Sequence, residues 1–276
     1  MKKIFSLLLA VAMLAACALS LASCGKSDVA AIEEKGYFVC GITYYAPMNY
    51  FNDEGDLVGF DTEFAQAVAA ELGLEAKFQL IQWGSKYNEL NSGAIDLIWN
   101  GFTYGNETLD DGTSVPRSDY VDFTHSYLNN TQCVVMKASD VAGIDSLDDL
   151  AGKTGAAEAG SSGEAVIKKI ANATVTSTTA QTNALMEVKG GQAQYAVIDV
   201  LMAESMVGKA GTDYADLTIV SAIELEAEVY AIGLRKGSDF TEKVNAAIEK
   251  LSENGKLAEI AAKYELSNAL ITNIGK

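Results

Sequence analysis

The chain has 276 residues and a formal net charge of −17, and about half of its residues are apolar. The acidic excess argues against nucleic acids and anionic lipid surfaces as partners. The apolar fraction and the low proline content argue against disorder, and the length suits one large or two ordinary α/β domains.

The chain begins with a segment that is typical of a secretory lipoprotein signal. Lys2 and Lys3 precede an apolar run over residues 4–21, and the sequence LASC then ends at Cys24. A basic start, an apolar run and small residues before a cysteine predict a cleaved signal peptide over residues 1–23 and a lipidated Cys24. Because two acyl chains hold a protein stably on a membrane, we expect an extracytoplasmic protein with a lipid anchor.

Two alternatives to this interpretation exist. The sequence LAAC, which ends at Cys17, also fits the lipoprotein pattern, but it would leave an apolar stub over residues 18–23 on the mature protein. An uncleaved membrane helix is disfavoured because the run is rich in alanine and serine and lacks stop-transfer charges on its flanks. We therefore place the anchor at Cys24 and a polar tether over residues 24–35.

Strand and helix patterns alternate along the next part of the chain. Phe64, Val68 and Leu72 recur every four residues, with Asp61 as the predicted N-cap and Gly73 where the helix should end. The predicted elements are, in order, a strand over 37–42, a helix over 61–72, a strand over 76–81, a helix over 85–92 and a strand over 94–99. This alternation predicts a parallel sheet with helices on both faces.

The same kind of pattern restarts beyond residue 134. Ser161 and Glu164 have the spacing of a capping box at the start of a helix. The predicted elements are a short helix over 147–150, a strand over 153–157, a helix that opens at Ser161, a helix over 182–189 and a strand over 194–199. Residues 90–98 and 188–198 both run from a helix end through a glycine into a strand, which suggests two lobes of similar design.

The order changes again in the last part of the chain. One strand is predicted over 228–234, followed by amphipathic helices over 240–253 and 257–264. We expect this tail to pack on the first lobe, so that the chain crosses between the lobes near 129–135 and 218–227. The predicted divisions are a first lobe over 36–130, a second lobe over 131–222 and a return segment of the first lobe over 223–276. In open α/β sheets, ligands lie beyond the carboxyl ends of the strands, and two such ends facing each other would clamp a small molecule.

The cysteines and the histidine indicate no metal or redox chemistry. Cys40 and Cys133 each lie in an apolar, strand-like segment, which favours two buried thiols, although the compartment would permit a disulfide. The single histidine, His125, is expected in a loop rather than as a base or a metal ligand. No cofactor is therefore predicted.

A set of motifs resembles the extracellular polar-amino-acid-binding proteins of ABC importers. The motifs are Gly59-Phe60-Asp61, residues 89–101, Gly160-Ser161-Ser162, Asp199 at the end of a strand, and Glu228-Val229-Tyr230 ahead of Arg235. Each motif is weak alone, but their order and spacing are specific and extend over residues 36–266. The resemblance implies a type II periplasmic-binding fold, in which two Rossmann-like α/β lobes with mixed, mostly parallel sheets are joined by a two-strand hinge. It also implies a monomer that captures a free polar amino acid between the lobes and passes it to an ABC permease.

An α-amino acid needs a bidentate cation for its carboxylate and an anion for its ammonium group. The resemblance assigns Arg117 to the carboxylate, together with the hydroxyl and backbone N–H of Ser162 at a helix start. It assigns Asp199, the carbonyl of Gly101 and the hydroxyl of Thr103 to the ammonium group. A surface position for Arg117 and a plain capping role for Ser162 or Asp199 are the alternatives.

Further positions match the walls of such a site. By resemblance, Tyr45 and Trp83 are its aromatic walls, although buried aromatic residues are more often simply part of a core. Tyr44 and Lys86 are close enough in sequence to contact a ligand side chain. Glu158 stands where the family often has a glutamine, which favours a ligand side chain that carries hydrogen-bond donors.

One stretch departs from the family pattern. Arg117 follows Thr103 by fourteen residues, a longer gap than the family usually has, and a polar segment over 104–116 fills it. This insertion either reshapes the rim of the cleft or is a solvated loop. The other arginine, Arg235, is expected to be solvated.

Two other functions remain as alternatives. The chain could sense an amino acid without transporting it, or it could be a dehydratase or lyase, since a few relatives of this fold are such enzymes. An enzyme of this kind needs a general acid or base in the cleft. Only His125 and Glu158 are candidates, and no adjacent nucleophile and base are visible in the sequence. We therefore expect a binding protein and not an enzyme.

Overall fold

The computed structural model describes residues 27–109 and 111–275. The predicted signal peptide over 1–23 and both candidate anchor residues, Cys17 and Cys24, lie outside these residues. The predicted tether over 24–35 is too long, because Asp28–Lys35 forms a helix whose Ile32 is buried. This helix belongs to the folded body.

The described residues form an α/β structure with two main sheets. The strands are β1 (Tyr37–Ile42), β2 (Tyr50–Phe51), β3 (Leu57–Val58), β4 (Glu75–Leu80), β5 (Leu97–Ile98), β6 (Asn106–Thr108), β7 (Ser114–Pro116), β8 (Val121–Phe123), β9 (Leu128–Lys137), β10 (Thr154–Glu158), β11 (Thr174–Thr178), β12 (Tyr195–Asp199), β13 (Leu217–Ile219), β14 (Ala227–Tyr230) and β15 (Gly233–Arg235). The α-helices are α1 (Asp28–Lys35), α2 (Phe60–Leu72), α3 (Lys86–Ser92), α4 (Ser162–Lys168), α5 (Gln181–Gly190), α6 (Val200–Met206), α7 (Phe240–Glu253) and α8 (Lys256–Lys263). Short 3₁₀ turns lie at Trp83–Ser85, Arg117–Asp119, Ala138–Asp140 and Leu147–Leu150.

Both main sheets are mixed. The first has the order β4-β1-β5-β15-β8, and the second has the order β11-β10-β12-β9-β13. In the first sheet β1 pairs in parallel with β4 and β5, and β15 runs antiparallel to β5 and β8. In the second sheet β10 pairs in parallel with β11 and β12, and β9 runs antiparallel to β12 and β13. Mixed sheets were predicted, but with mostly parallel strands. Each main sheet instead has two parallel and two antiparallel pairings.

Two antiparallel strands connect the sheets. The first residues of β9 pair with β14, in a register that sets Leu128 opposite Tyr230 and Thr131 opposite Ala227. β9 then continues into the second sheet, while the chain after β14 turns into the first sheet as β15. The single strand predicted over 228–234 is thus two strands, because its two halves pair in different places. The structure has the predicted two-strand connection between two lobes.

Helix α2 begins differently from the prediction. Its N-cap is Gly59, at φ +125°, where a Cβ atom would lie 2.2 Å from the carbonyl oxygen of Met48. Only glycine fits such a position. Asp61 is therefore not the cap but lies in the first turn, and its buried carboxylate accepts hydrogen bonds from the backbone N–H of Gly101 (2.7 Å) and the hydroxyl of Tyr127 (3.1 Å). The glycines predicted to end helices do so, as Gly73 shows at φ +69°.

The core of the first lobe is rich in aromatic side chains. The Trp99 ring lies 5.2 Å from that of Phe64 and 6.4 Å from that of Phe38 between centroids.

The thiols of Cys40 and Cys133 are free and buried, as predicted, and burial raises the pKa of each well above its ordinary value. Within the described ranges, no helix is long and apolar enough to cross a membrane, and no His, Cys, Asp and Glu residues cluster as a metal site would need.

Candidate functional site

A cavity lies between the two sheets, where several parallel strands end. Its walls are Trp83, Asn100, Gly101, Thr103, Arg117, Glu158, Ser161, Ser162, Gln181 and Asp199. Residues 100–103 follow β5, whereas Glu158 and Asp199 are the last residues of β10 and β12. The structure therefore brings together six residues that the sequence singled out for ligand contact, namely Trp83, Gly101, Thr103, Arg117, Ser162 and Asp199.

The two lobes contact each other directly at this cavity. The carbonyl oxygen of Gly160, from the second lobe, accepts hydrogen bonds from Lys86 Nζ (3.1 Å) and Arg117 Nη2 (3.4 Å), both from the first lobe. A Cβ atom at Gly160 would lie 3.2 Å from the Cα of Gly84 and 3.3 Å from Lys86 Nζ, and φ there is +72°. A glycine at this position lets the lobes approach closely, so the structure shows the closed arrangement.

Arg117 is almost completely buried at one wall of the cavity. It opens a 3₁₀ turn directly after β7, and 2% of the residue is exposed. Its Nε donates to Glu107 Oε2 (2.9 Å), and its Nη1 donates to the carbonyl oxygen of Thr103 (3.1 Å). Together with the bond to Gly160, these contacts with described residues use three of the five guanidinium N–H groups. One N–H on each terminal nitrogen remains, which is the pair that a carboxylate binds in a bidentate manner.

Glu107 lies beside the cleft and was not among the site residues predicted from the sequence. The insertion over 104–116 folds as a hairpin, with β6 antiparallel to β7, and Glu107 points from β6 toward the cleft. Its carboxylate accepts from Arg117, from Lys86 Nζ (3.1 Å) and from the Tyr87 hydroxyl (2.9 Å). Burial opposes ionisation, but Arg117 and Lys86 hold the pKa of Glu107 below its ordinary value. The insertion is therefore not a solvated loop, because it brings a charged residue to the cleft. No local feature of the sequence indicates that Glu107 pairs with Arg117 and Lys86.

Lys86 is held by this cluster and does not line the cavity. Only 1% of the residue is exposed, and burial lowers the pKa of its ammonium group to about 8, although Glu107 favours the charged form. Tyr44, by contrast, is 42% exposed and packs on Phe51. Of the two residues predicted to lie near a ligand side chain, only Lys86 lies at the cleft.

Asp199 lies at the opposite wall and is surrounded by donors. Its Oδ1 accepts from Asn130 (2.5 Å), Gln132 (2.8 Å) and the Tyr230 hydroxyl (2.7 Å), and its Oδ2 accepts from Gln181. It occupies the N-cap position of α6, but its side chain makes no capping bond there, so a plain capping role does not account for its carboxylate. Burial, followed by the charge of nearby Glu228, raises the pKa of Asp199 to about 6, against the lowering effect of these donors.

Thr103 and the two serines at the start of α4 make protein contacts that the predicted ligand roles did not include. The Thr103 hydroxyl donates to Glu228 Oε2 (3.1 Å), while its carbonyl accepts from Arg117. Ser161, not Ser162, caps α4, because its hydroxyl accepts from the backbone N–H of Glu164 (3.1 Å). Ser162 is the first helical residue and lines the cavity.

Tyr45 lies behind the cavity and not in its wall. It is 1% exposed, and its hydroxyl lies 2.6 Å from that of Tyr230, which in turn donates to Asp199. Gly101 separates Tyr45 from the cavity: its φ is +56°, and a Cβ atom there would lie 2.6 Å from the Tyr45 ring. Trp83 does line the cavity and packs edge-on against Phe102 at 5.5 Å between centroids.

Glu158 is the one cavity-lining carboxylate with an unmatched oxygen. The residue is 3% exposed, and its Oε1 has no hydrogen-bond partner among the described residues. Burial, and then the charge of Asp199, raise the pKa of Glu158 to about 8, while Lys86 and the Thr43 hydroxyl lower it.

Arg235 and His125 lie outside the cavity. The prediction for Arg235 is wrong, and the prediction for His125 is confirmed. Arg235 is not solvated, because it donates to the Asp28 carboxylate (2.7 Å), to the carbonyls of Leu90 and Ile95 and to Asp96. His125 lies in the loop after β8, as predicted, and its Nε2 lies 2.9 Å from Glu249 Oε1.

The two α/β lobes, the two-strand connection and the closed cavity between an arginine and an aspartate define a two-lobed binding protein for a small polar solute. The chain belongs to the bacterial extracellular solute-binding proteins of family 3, whose family model matches residues 38–267. The family model for a prokaryotic membrane lipoprotein lipid attachment site matches residues 1–18. The protein is therefore a lipid-anchored extracytoplasmic protein, as predicted.

Individual relatives are similar over most of their length. The arginine-binding extracellular protein ArtP of Bacillus subtilis is 31% identical over 258 residues, which cover 91% of this chain and 95% of ArtP. The L-cystine-binding protein TcyJ of Escherichia coli is 27% identical over 84% of each chain. The crystal structure of an ABC uptake transporter substrate-binding protein from Streptococcus pneumoniae with bound histidine matches with a TM-score of 0.73 and 30% identity, over 87% of this chain and 96% of that one.

Proposed function

We propose that the protein captures a free α-amino acid in the cavity and delivers it to an ABC importer. The observation that carries this proposal is that the Arg117 guanidinium and the Asp199 carboxylate line the same closed cavity. A cation at one wall and an anion at the other complement the two charges of an α-amino acid. The walls of this cavity come from both lobes, so a bound molecule would be enclosed between them, which suits one amino acid better than a longer peptide.

The names of the relatives support this proposal. They describe proteins that bind arginine, cystine and histidine, and one is described as part of an ABC uptake transporter. All of these are α-amino acids with different side chains. The shared part of their ligands is the carboxylate and ammonium end, which is the part that the proposed clamp would hold.

The residue roles follow from the remaining hydrogen-bond capacity. The two remaining N–H groups of Arg117, with the hydroxyl and backbone N–H of Ser162, bind the α-carboxylate. Asp199 and the carbonyl of Gly101 bind the α-ammonium group. Thr103 holds Arg117 and Glu228 in place, and Trp83 covers the side chain of the ligand. A buried charge without a partner is very unfavourable, so the site rejects ligands that lack either end group.

Thermal unfolding in the presence of matched ligands tests the proposal. An amino acid that binds the folded state raises the melting temperature, whereas its decarboxylated amine and its N-acetyl derivative are expected to leave it unchanged. The screen uses the common L-amino acids and cystine, with both derivatives made for each hit. Stabilisation by the amine or the acetylated compound would contradict the clamp, and stabilisation by no amino acid would contradict the function.

We further infer that binding is not followed by chemistry. The curated relatives named above are binding proteins, and the cavity walls offer no nucleophile beside a general base. Prolonged incubation with a stabilising amino acid is expected to return it unchanged by NMR. Appearance of a new product at a rate proportional to protein concentration would assign the cavity to catalysis instead.

The lipid anchor is proposed at Cys24. The matched lipoprotein stretch contains Cys17 and ends before Cys24, so the two cysteines need a direct test. If Cys24 carries the lipid, Cys24→Ala releases the protein from the membrane fraction and Cys17→Ala does not. The reverse result, or a lipidated N-terminal peptide that begins at Cys17 in mass spectrometry, would move the anchor to Cys17.

A further inference from the structure

The buried carboxyl group of Glu158 is not used by the clamp described above. The residue ends β10, is 3% exposed and lines the cavity together with Trp83 and Gln181. Its Oε1 has no hydrogen-bond partner in the described part of the chain. Since a buried polar oxygen without a partner is destabilising, a partner supplied by the ligand explains the position of this residue.

We propose that Glu158 receives a cationic group at the end of the ligand side chain, so that the preferred ligand is a cationic amino acid such as L-arginine or L-lysine. This inference rests on the proposed function, because it assumes that Arg117 and Asp199 hold the carboxylate and ammonium ends. Those two residues match the zwitterionic part of any amino acid. Glu158 is then one further acidic group in the cavity, and its negative form is favoured only beside an additional positive charge.

The structure explains why no protein cation already fills this role. Lys86 is close enough to favour the charged form of Glu158, but its Nζ is bound to Glu107 (3.1 Å) and to the carbonyl of Gly160 (3.1 Å). Arg117 is directed toward Glu107 as well (2.9 Å). The hairpin residue Glu107 thus binds both nearby cations and leaves Glu158 facing the cavity without one.

The protonation state of Glu158 gives this proposal a second measurable consequence. Burial, and then Asp199 on β12, raise the pKa of Glu158 to about 8, while Lys86 on α3 and Thr43 after β1 lower it. The group is therefore largely protonated at pH 7 before binding. A cation beside it favours the carboxylate, so binding of L-arginine expels a proton and strengthens as the pH rises toward 8. A ligand with a neutral side chain has no such effect.

L-arginine and L-citrulline form a matched pair for the test, because they have the same length and differ in the charge at the end of the side chain. Calorimetric titration of the detergent-solubilised full chain is expected to show L-arginine binding about tenfold to a hundredfold more tightly. Glu158→Gln keeps the size of the side chain and is expected to abolish that preference. Glu54→Gln, at an exposed position in the loop between β2 and β3, controls for the change in net charge.

Each outcome of the titration has a defined meaning. Equal affinity for L-arginine and L-citrulline, or a preference that survives Glu158→Gln, overturns the role of Glu158 but leaves the amino-acid clamp intact. Tighter binding of L-glutamine than of L-arginine also overturns it, since Glu158 would then act as a neutral donor. Failure of every amino acid to bind contradicts the proposed function itself.

Titration in buffers of different ionisation enthalpy measures the expelled proton. Close to one proton is expected to be released per L-arginine bound at pH 7, and none on binding of L-citrulline. The release is expected to disappear in Glu158→Gln, whose folding is checked by its unaltered melting temperature without ligand. Identical proton release by the parent and by Glu158→Gln would contradict contact between the cation and this carboxyl group.

Discussion

The two arginines of the chain use the same side chain in opposite ways. Arg235 lies away from the cavity and directs all five N–H groups to protein acceptors: the Asp28 carboxylate, the carbonyls of Leu90 and Ile95, and Asp96. It ties α1 and the end of α3 to the first sheet. Arg117 directs three N–H groups to described residues and has two left at the cavity.

This difference separates an arginine that stabilises the fold from one that can bind a ligand. Burial does not mark the arginine that stabilises the fold, because Arg117 is the more deeply buried of the two, with a side-chain exposure of 2% against 22% for Arg235. The distinguishing property is the number of donors that the protein does not use. Four predictions test the contrast, in order of their expected effect on ligand affinity.

Arg117→Lys is expected to have the largest effect. Lysine keeps the charge but lacks the planar pair of N–H groups, so one charge-assisted hydrogen bond to the carboxylate is lost, at about 1.5–3 kcal/mol. Calorimetric titration with the tightest-binding amino acid should show an affinity about tenfold to a hundredfold weaker. Parent-like affinity would mean that the hairpin has displaced the clamp and that the start of α4 holds the carboxylate.

A change of pH is expected to have the next largest effect, through Asp199. Its pKa is raised to about 6, so below that pH the group is mostly neutral and binds an ammonium ion poorly. Affinity for an amino acid with a neutral side chain should therefore rise by up to about tenfold from pH 5 to pH 7 and then level off. Asp199→Asn should bind weakly at both pH values, and a parent-like rise in that variant would exclude Asp199 as its source.

Glu107→Gln is expected to have a smaller effect. The neutral amide keeps the shape of the side chain but releases the charge that holds Lys86 and Arg117, so Lys86 becomes available to pair with Glu158. Affinity for L-arginine should fall by about threefold to tenfold, because Glu158 then has a second cation to pair with. Glu54→Gln is again the matched control, and tighter binding of L-arginine by Glu107→Gln would contradict this account of the hairpin.

Arg235→Lys is expected to leave affinity unchanged and to reduce stability instead. The substitution loses the bidentate contact with Asp28 and two bonds to carbonyl groups, so urea unfolding should show a loss of about 1–2 kcal/mol. Ligand affinity should stay within about twofold of the parent. A large loss of affinity without a loss of stability would remove the distinction between the two arginines.

The parts of this structure that the sequence predicted depend on local signals. Glycine can adopt positive φ without strain, so Gly73, Gly93 and Gly191 end their helices where expected. The strand ends that hold Glu158 and Asp199 follow from short apolar runs. Family motifs then placed most of the cavity wall, although they could not say which hydrogen bonds each residue makes.

The parts that the sequence did not predict depend on long-range pairing. Asp61 has the composition of a cap but turns inward to Gly101, forty positions along the chain. The strand predicted over 228–234 divides because its halves meet different partners. Glu107 was missed and Arg235 was wrongly expected to be solvated for the same reason, since each pairs with residues that are distant in sequence, as Lys86 is for Glu107 and Asp28 is for Arg235.

The carbonyl oxygen of Gly160 bears on the kinetics of release. It accepts one hydrogen bond from Lys86 and one from Arg117 across the cleft, so part of the free energy of closure comes from the protein and is the same for every ligand. These two bonds favour the closed form with or without a ligand, and the ligand adds its own bias toward closure. Opening must break the same two bonds whichever amino acid is inside. The dwell time of the closed form thus has a contribution from a backbone carbonyl that does not depend on the ligand side chain.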